Sequence, residues 1–260
     1  MLQLTPENYY STEANQEYMS VSQYKDFRKC ESQAMAKIWG GFEVPPSQAF
    51  LVGSYVHSWN DNTTQQFMSE HPEIFKKDGD LKAEYKIADK MIETLRNDPM
   101  CMAALEGEKE KIIVAEFGGC KWKMKADSLN LAKQRITDLK TTRDIYDKLW
   151  SVEDRMYVSW VEYYGHITQM AVYRELVRIS TGIECEPLIE AVSKEDVPDK
   201  AIICFDNERL QYEVERVLFY LPRILKVKTG EEEPTRCERC DWCKQTKKVD
   251  KVLHYSELIV

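Results

Sequence analysis

The amino-acid sequence predicts an α/β (α+β) domain in which helices flank a central mixed β-sheet. Residues 19–98 carry mainly helical patterns, and residues 109–142 contain short β-branched segments separated by turn residues. Helix and strand patterns then alternate as far as residue 230. With 260 residues, 43% of them hydrophobic, the chain can bury a large core. We therefore predict a loose leader over 1–18 and a single domain over 19–260 with a cysteine-bearing C-terminal segment.

The first part of the domain is predicted to contain helices over 19–41, 45–61 and 82–98. Ser20 or Ser22 can cap the first helix through its hydroxyl, and Gly40-Gly41 would end it. Pro99 follows the third helix and would stop it, because proline lacks the N–H that helix continuation requires.

Strand patterns follow over 109–117, 120–131 and 134–142. Gly118-Gly119 predicts a hairpin turn between the first two. In the second strand, lysines alternate with Trp122 and Met124, which predicts an exposed basic face and a buried apolar face. Beyond these strands we predict helices over 143–150 and 154–180, strands over 183–193 and 200–206, and a last helix over 207–230 that Pro222 kinks or breaks.

Composition excludes some classes of protein. The net charge of −8 and the pI of about 5.3 count against coating nucleic acid by bulk charge, but they allow a local basic groove. No apolar run is long enough to span a bilayer, and the polar N-terminus lacks a signal-peptide core. We therefore expect a soluble cytoplasmic protein without a membrane partner.

The segment "RITDLKTT" (135–142) carries the strongest chemical signal. On a strand Asp138 and Lys140 share one face, while Leu139 points to the other face and the core. Asp127 ends the preceding strand, so the two carboxylates can converge at one sheet edge. Close carboxylates repel unless a cation intervenes, and Mg²⁺ prefers oxygen ligands, to which the Leu139 carbonyl could add one. Lys140 could orient a water and stabilise charge on a phosphate, as metal-assisted phosphodiester hydrolysis requires.

A surface salt bridge on an edge strand is the alternative interpretation, because an isolated D-x-K tripeptide is common. Neighbouring motifs strengthen the metal-site interpretation. His57 could ligate a metal or could be an ordinary core histidine. Gln169 and Tyr173 share a helix face and either enter the cleft or face solvent. Glu116 could complete the acidic cluster.

Taken in order, these residues resemble the PD-(D/E)xK nuclease superfamily. Asp127 with Asp138-Leu139-Lys140 resembles its central signature. His57 in "FLVGSYVHSW" and the spacing from Gln169 to Tyr173 resemble the additional motifs of the RecB-like branch. Over roughly 19–250 the chain is similar to phage-type recombination exonucleases related to exodeoxyribonuclease VIII.

The resemblance implies a restriction-endonuclease-like core and Mg²⁺- or Mn²⁺-dependent exonuclease activity that degrades one strand of linear duplex DNA from an end during phage-type homologous recombination. It implies that His57, Asp127, Asp138 and the Leu139 carbonyl bind the metal, and that Lys140 positions the attacking water. Gln169 and Tyr173 would support the site or bind the DNA backbone. Double-stranded DNA ends, a single-strand-annealing recombination protein and further copies of the chain in a ring-like homo-oligomer are the implied partners. The competing hypothesis is a non-catalytic, nuclease-like scaffold that binds DNA or a partner.

The cysteines suggest a second site. The spacing C-x-x-C-x-x-C of Cys237, Cys240 and Cys243 leaves a tetrahedral site one ligand short, and Cys30 could supply the fourth. Some RecB-like nucleases are similar in having one cysteine upstream and three near the C-terminus, which hold an iron–sulfur cluster. The sequence allows three alternatives for these cysteines: an iron–sulfur cluster, a zinc ion or free thiols. We expect the other cysteines to be core residues, namely Cys101, Cys120, Cys185 and Cys204.

Overall fold

A computed structural model describes residues 2–258 of the protein. The helices are α1 (Thr12–Glu17), α2 (Val21–Lys29), α3 (Glu31–Ile38), α4 (Gln48–Asn60), α5 (Thr64–Glu70), α6 (Ala83–Arg96), α7 (Pro99–Ala104), α8 (Trp160–Tyr163), α9 (His166–Thr181), α10 (Asn207–Thr229) and α11 (Asp241–Gln245). Short 3-10 turns cover Pro72–Ile74 and Tyr255–Leu258. The strands are β1 (Lys111–Phe117), β2 (Cys120–Ala126), β3 (Ser128–Asn130), β4 (Arg135–Thr142), β5 (Lys148–Ser151), β6 (Met156–Ser159), β7 (Glu186–Ser193) and β8 (Lys200–Ile203).

The central sheet is mixed, as predicted. Its strand order is β3-β4-β7-β8, in which β4 runs parallel to β7 and the outer pairs are antiparallel. The β1–β2 hairpin precedes β3 directly along the chain. It turns at Gly118 and Gly119, whose φ angles of +61° and +83° suit glycine because side chains with a Cβ rarely adopt them.

Helices cover both faces of the sheet. Helix α9 packs against β1, β2 and β7 on one face, with α10 behind it, while α4, α6 and α7 pack on the other face. The alternation of side chains along β4 produces this arrangement. Ile136 belongs to the core under α9, whereas Leu139 belongs to the core under α4 and α6. By the same alternation Asp138 and Lys140 point to the same side of β4 as Ile136.

The N-terminal segment is not the loose leader that we predicted. It contains α1, and Tyr9, Ala14 and Tyr18 are buried. The Lys123 ammonium donates hydrogen bonds to the Tyr9 carbonyl at 2.5 Å and to Asn15 Oδ1 at 2.9 Å. Residues 2–18 therefore cover part of the lysine face of β2 that we expected to be exposed. The local alternation along β2 carried no information about this distant segment.

Two further predictions about elements were wrong, and for Pro222 the alternative of a broken helix was wrong. The helix expected over 19–41 breaks at Cys30 into α2 and α3. The segments expected to be helical around 143–159 instead form the β5–β6 hairpin, in which Trp150 and Tyr157 stack edge to face at 5.3 Å. Pro222 lies inside α10 without ending it, because the buried residues on both sides, Leu221 and Ile224, anchor the helix to the core. Among residues 2–258, no helix combines the length and the apolar character that crossing a membrane requires.

Candidate active site

A single cleft of about 1310 Å³ opens beside the C-terminal half of β4. All of the side chains that the nuclease motifs singled out, except Glu116, line this cleft. They come from α4, from the end of β2, from β4 and from α9: His57, Asp127, Asp138, Lys140, Gln169 and Tyr173. The fold therefore brings together residues that are far apart in the chain.

Strand β4 supplies a buried pair of opposite charges. Asp138 is 3% exposed, and its Oδ2 lies against the ammonium of Lys140. Burial raises the pKa of Asp138 above its usual value, although the charge of Lys140 opposes the rise. Burial disfavours the ammonium of Lys140, but Asp138 and Asp127 outweigh it and raise the pKa of Lys140. Lys140 is therefore a charged donor and has no lone pair to accept a proton.

Asp127 lies at the step from β2 to β3. Its Oδ2 accepts the Leu139 N–H at 2.8 Å and lies 3.5 Å from Nδ1 of His57, and Asn60 holds its carbonyl through a 3.0 Å hydrogen bond. Burial alone would raise the pKa of Asp127, but His57, Lys140 and the Leu139 N–H lower it to about 2. Burial disfavours protonated His57, yet Asp127 outweighs this effect and raises the pKa of His57. The carboxylate of Asp127 is thus fixed in position and ionised.

Helix α9 presents two polar side chains to the cleft, Gln169 and Tyr173, which lie one turn apart. Gln169 Nε2 donates to Asp138 Oδ1 at 2.8 Å, and its Oε1 faces Nδ1 of His166 at 3.4 Å. Tyr173 lies deeper along the same face, where burial, with Tyr9 and Asp138, raises its pKa well above the usual value. The hydroxyl of Tyr173 therefore stays protonated and able to donate.

The residues present fit a hard divalent cation. Oδ2 of Asp138 is buried and accepts no well-aligned hydrogen bond, although it touches the Lys140 ammonium. With Asp127 and the neutral form of His57, it gives the oxygen and nitrogen donors that Mg²⁺ or Mn²⁺ accepts. The N–H of Leu139 points to Asp127, so we expect its carbonyl to face the same side.

These donors are not a compact cage. Among groups of three or more His, Cys, Asp or Glu residues within 2–258, one group has ligand atoms that all lie within 4.8 Å of one another: Cys30, Cys237, Cys240 and Cys243. An open arrangement suits Mg²⁺, because this ion keeps several of its waters when it binds protein.

Glu116 does not belong to the site, and its assignment to the metal was wrong. It is exposed on β1 and pairs in register with Lys121 near the hairpin turn, whereas Lys111, at the other end of β1, pairs with Ala126 beside Asp127. The length of the hairpin therefore separates Glu116 from the carboxylates.

Other residues line the cleft that sequence reasoning missed. Asp61 follows His57 by four positions, and burial, with the charge of Asp127, raises its pKa to about 6. His166 precedes Gln169 by three positions and contacts it. Helical spacing from the named motif residues could have identified both. Lys25 also lines the cleft, and no local pattern pointed to it.

The structure brings the C-terminal cysteines to the break between α2 and α3. The Sγ atoms of Cys30 and Cys243 are 3.6 Å apart, and those of Cys237 and Cys243 are 4.0 Å apart. All of the ligand atoms of Cys30, Cys237, Cys240 and Cys243 lie within 4.8 Å of one another. The backbone N–H groups of Arg239 and Cys240 lower the pKa of Cys237 to about 6. Sulfur ligands at these distances are typical of a zinc or iron–sulfur site.

The remaining cysteines are not all core residues. Cys101 and Cys185 are buried as predicted, and Cys120 is half-buried. Cys204 is exposed, which contradicts its prediction as a core residue. It follows the short strand β8, at the edge of the central sheet.

Comparisons with known proteins identify a family and structures similar to this chain. A family model described as "PDDEXK-like domain of unknown function (DUF3799)" matches residues 20–246. A crystal structure of a "Putative exonuclease" from Eubacterium rectale is 42% identical, with a TM-score of 0.95, and the match covers 100% of this chain and 99% of that chain. The structure of SSO0001 matches at 13% identity over 86% of this chain and 91% of that chain, but its TM-score of 0.28 supports no inference. A search of curated proteins found no match.

Proposed function

The chain belongs to the PDDEXK-like family, and from this premise we propose that it is a metal-dependent exodeoxyribonuclease that degrades one strand of linear duplex DNA from an end. Family membership confirms the PD-(D/E)xK superfamily and the restriction-endonuclease-like fold that the motifs predicted. One observation carries the proposal: Asp127, Asp138 and Lys140 converge with His57 in a single open cleft.

Asp127, Asp138 and His57 would hold Mg²⁺ or Mn²⁺, with the Leu139 carbonyl as a further oxygen. When bound, the cation supplies Lewis acidity and neutralises charge at the phosphate oxygens. The carboxylate of Asp127 is ready for this role, because the Leu139 N–H orients it and its pKa is about 2. His57 contributes through its neutral imidazole once a cation replaces its proton.

Lys140 would donate a hydrogen bond to the attacking water and stabilise the negative charge that grows on the phosphate. Its ammonium contacts Asp138, which sets its direction, and Gln169 holds the other oxygen of Asp138 at 2.8 Å. Tyr173 keeps its proton and would donate to a DNA phosphate or to the site. Strand β4 and helix α9 thus contribute to one reaction centre.

DNA as the substrate is supported by the cationic side chains of the cleft wall, which provide the phosphate contacts that nucleic-acid binding requires. These side chains are those of Lys25, Lys37, Lys125, Arg143 and Lys194. Attack from an end is supported by the description of the Eubacterium rectale protein as an exonuclease. A role in phage-type recombination, a single-strand-annealing partner and a ring-like homo-oligomer complete the proposal, and these follow from the motif resemblance alone. A cytoplasmic location follows from the polar N-terminus and the lack of a long apolar run.

The cysteine set would bind an iron–sulfur cluster or zinc and fix the C-terminal segment to the first helices. Absorbance spectra and elemental analysis of anaerobically purified protein distinguish the two. Iron with matching sulfide supports the cluster, one zinc per chain supports zinc, and metal-free protein with four reactive thiols contradicts both.

The nuclease assay uses linear and closed circular duplex DNA with Mg²⁺, with Mn²⁺ and with EDTA. We expect metal-dependent release of nucleotides from the linear substrate only, and no release by Asp138→Asn. Label at each end of the duplex shows which strand is degraded. DNA binding without hydrolysis under every metal condition would support the non-catalytic scaffold instead, and equal hydrolysis by Asp138→Asn would contradict the proposed site.

A further inference from the structure

Lys25 on α2 extends into the cleft next to the α9 side of the site. Its stem passes directly over Gly165, where an added Cβ would lie 3.0 Å from Lys25 Cδ. Its Nζ donates to the Tyr164 carbonyl at 3.2 Å. Gly165 has φ +65°, so glycine serves both the backbone conformation and the passage of the lysine. The backbone before α9 therefore holds the Lys25 side chain in place.

No carboxylate forms an ion pair with Lys25 within residues 2–258. The adjacent Asp26 is engaged by Lys37 at 2.9 Å, and elsewhere in the cleft Lys125 pairs with Glu110 and Lys140 with Asp138. An ammonium has three donor hydrogens, and Lys25 uses one of them on a neutral carbonyl. Its charge and its remaining donors are free for a ligand.

The surroundings of Lys25 disfavour its charged form. Burial and then the nearby charge of Lys140 lower the pKa of Lys25 to about 8, since Asp138 and Asp26 compensate only in part. Burial, with Lys140 and Lys25, lowers the pKa of His166 to about 2. The imidazole is therefore neutral and does not balance the charge of Lys25. A partly buried ammonium without a carboxylate partner is stabilised by an anion that binds beside it.

We propose that Lys25 is a substrate-binding residue that holds a phosphate of the nucleic acid other than the one being cleaved. The site lies on the wall made by α2 and the segment Tyr164–His166, while Lys140 serves the scissile phosphate. Identification of the anion as a DNA phosphate rests on the proposed nuclease function. The ligand is a phosphate group either within the strand or at its end.

The experiment measures binding of a fluorescent linear duplex by anisotropy in EDTA over a series of salt concentrations. Lys25→Gln removes the charge, Lys25→Met keeps the apolar stem over Gly165, and Lys25→Arg keeps the charge. Lys90→Gln is the matched control, because Lys90 also donates to a backbone carbonyl, that of Asp196 at 3.1 Å, but does not line the cleft. Circular dichroism and thermal unfolding verify that each variant is folded.

Loss of one phosphate contact reduces the slope of log affinity against log salt by about 0.9. We expect this change for Lys25→Gln and Lys25→Met, and wild-type slopes for Lys25→Arg and Lys90→Gln. Equal changes on duplexes with 5′-phosphate and 5′-hydroxyl ends place the phosphate within the strand. A change confined to the phosphorylated duplex places it at the end, and both results support the proposal.

Unchanged slopes for Lys25→Gln and Lys25→Met would overturn the inference. This outcome is distinct from failure of the nuclease proposal. If the wild-type protein binds duplex with the expected Lys25 dependence but never hydrolyses it with Mg²⁺ or Mn²⁺, the binding role stands and the catalytic role falls. If hydrolysis is normal and the slopes are unchanged, the catalytic role stands and the binding role of Lys25 falls.

Discussion

The cleft and the layer under α6 and α7 both bury carboxyl groups, and the surroundings of Asp127 in the cleft and of Glu190 in that layer shift their pKa values in opposite directions. In the cleft Asp127 is 8% exposed, and its neighbours lower its pKa to about 2. On the face covered by α6 and α7, Glu190 is 0% exposed, and burial raises its pKa to about 7. Neither carboxyl oxygen of Glu190 has a hydrogen-bond partner of normal geometry, although the thiol of Cys101 lies against it.

The difference shows that depth of burial does not by itself set the charge of a carboxyl group. Asp127 has a backbone N–H and two cationic side chains close by, and these stabilise its ionised form. Glu190 is the lateral neighbour of Leu139 across the β4–β7 pair and lies in apolar surroundings that stabilise its neutral form. Two carboxyl groups close to β4 thus differ in charge because their partners differ: Asp127 is ionised in the cleft, and Glu190 is neutral below about pH 7 in the packed layer.

The largest expected effect comes from removing the ammonium group of Lys140 from the cleft. Lys140→Met deletes the donor to the attacking water and the charge beside Asp138, so we expect hydrolysis to slow at least ~10³-fold, or about 4 kcal/mol in the barrier. Single-turnover rates on linear duplex with saturating Mg²⁺ measure this. Lys111→Met, which removes an exposed partner of Glu108, is the control and should keep full activity. A loss of less than tenfold in Lys140→Met would contradict the assigned role.

Glu190→Gln tests the protonation state of buried Glu190 through the pH dependence of the free energy of unfolding. The folded-state pKa of about 7 lies above the unfolded value of 4.5, so the folded protein binds more protons between these limits. The contribution of Glu190 is therefore complete below pH 4.5 and is lost as the pH rises through 7. Relative to pH 4.5 the loss approaches roughly 3 kcal/mol at high pH, at 1.36 kcal/mol per pKa unit.

The glutamine variant cannot ionise, so we expect its free energy of unfolding relative to wild type to rise between pH 5 and pH 8 by about 2–3 kcal/mol. Urea unfolding at both pH values measures the change. The exposed variant Glu186→Gln, at the start of the same strand, should show no such trend. A difference that stays constant with pH would mean that Glu190 is already ionised in the folded protein.

The smallest expected effect concerns the hydrogen bond by which Gln169 orients the carboxylate of Asp138 in the cleft. Gln169→Leu removes the hydrogen bond to Asp138 without removing any ligand, and losses of this kind weaken metal binding ~10- to 100-fold, about 1.4–2.8 kcal/mol. Titration with Mn²⁺ followed by electron paramagnetic resonance measures binding independently of hydrolysis. Gln211→Leu on α10, which removes an exposed bond to Glu215, should bind Mn²⁺ like wild type. Unchanged affinity in Gln169→Leu would limit Gln169 to a role with DNA.

Much of the fold could be predicted from local pattern. The alternation in "RITDLKTT" predicted a strand with Leu139 in the core, and Gly118-Gly119 predicted the hairpin turn. Errors arose where tertiary contacts override local preference. Residues 143–150 have a helical pattern, yet the chain forms β5 because Trp150 finds a cross-strand partner in Tyr157. The break at Cys30 likewise reflects its approach to Cys243, which lies 213 residues further along the chain.

Residues related by short-range spacing could be assigned from the amino-acid sequence: Asp138 and Lys140 are two apart on one strand face, and Gln169 and Tyr173 are four apart on one helix face. The fold was needed to show that Glu116 lies far from the cleft, that residues 2–18 cover Lys123, and that Lys25 lines the same cleft as Lys140. These cases differ because side-chain direction follows from local backbone geometry. Burial and charge environment depend instead on segments that pack together from distant parts of the chain.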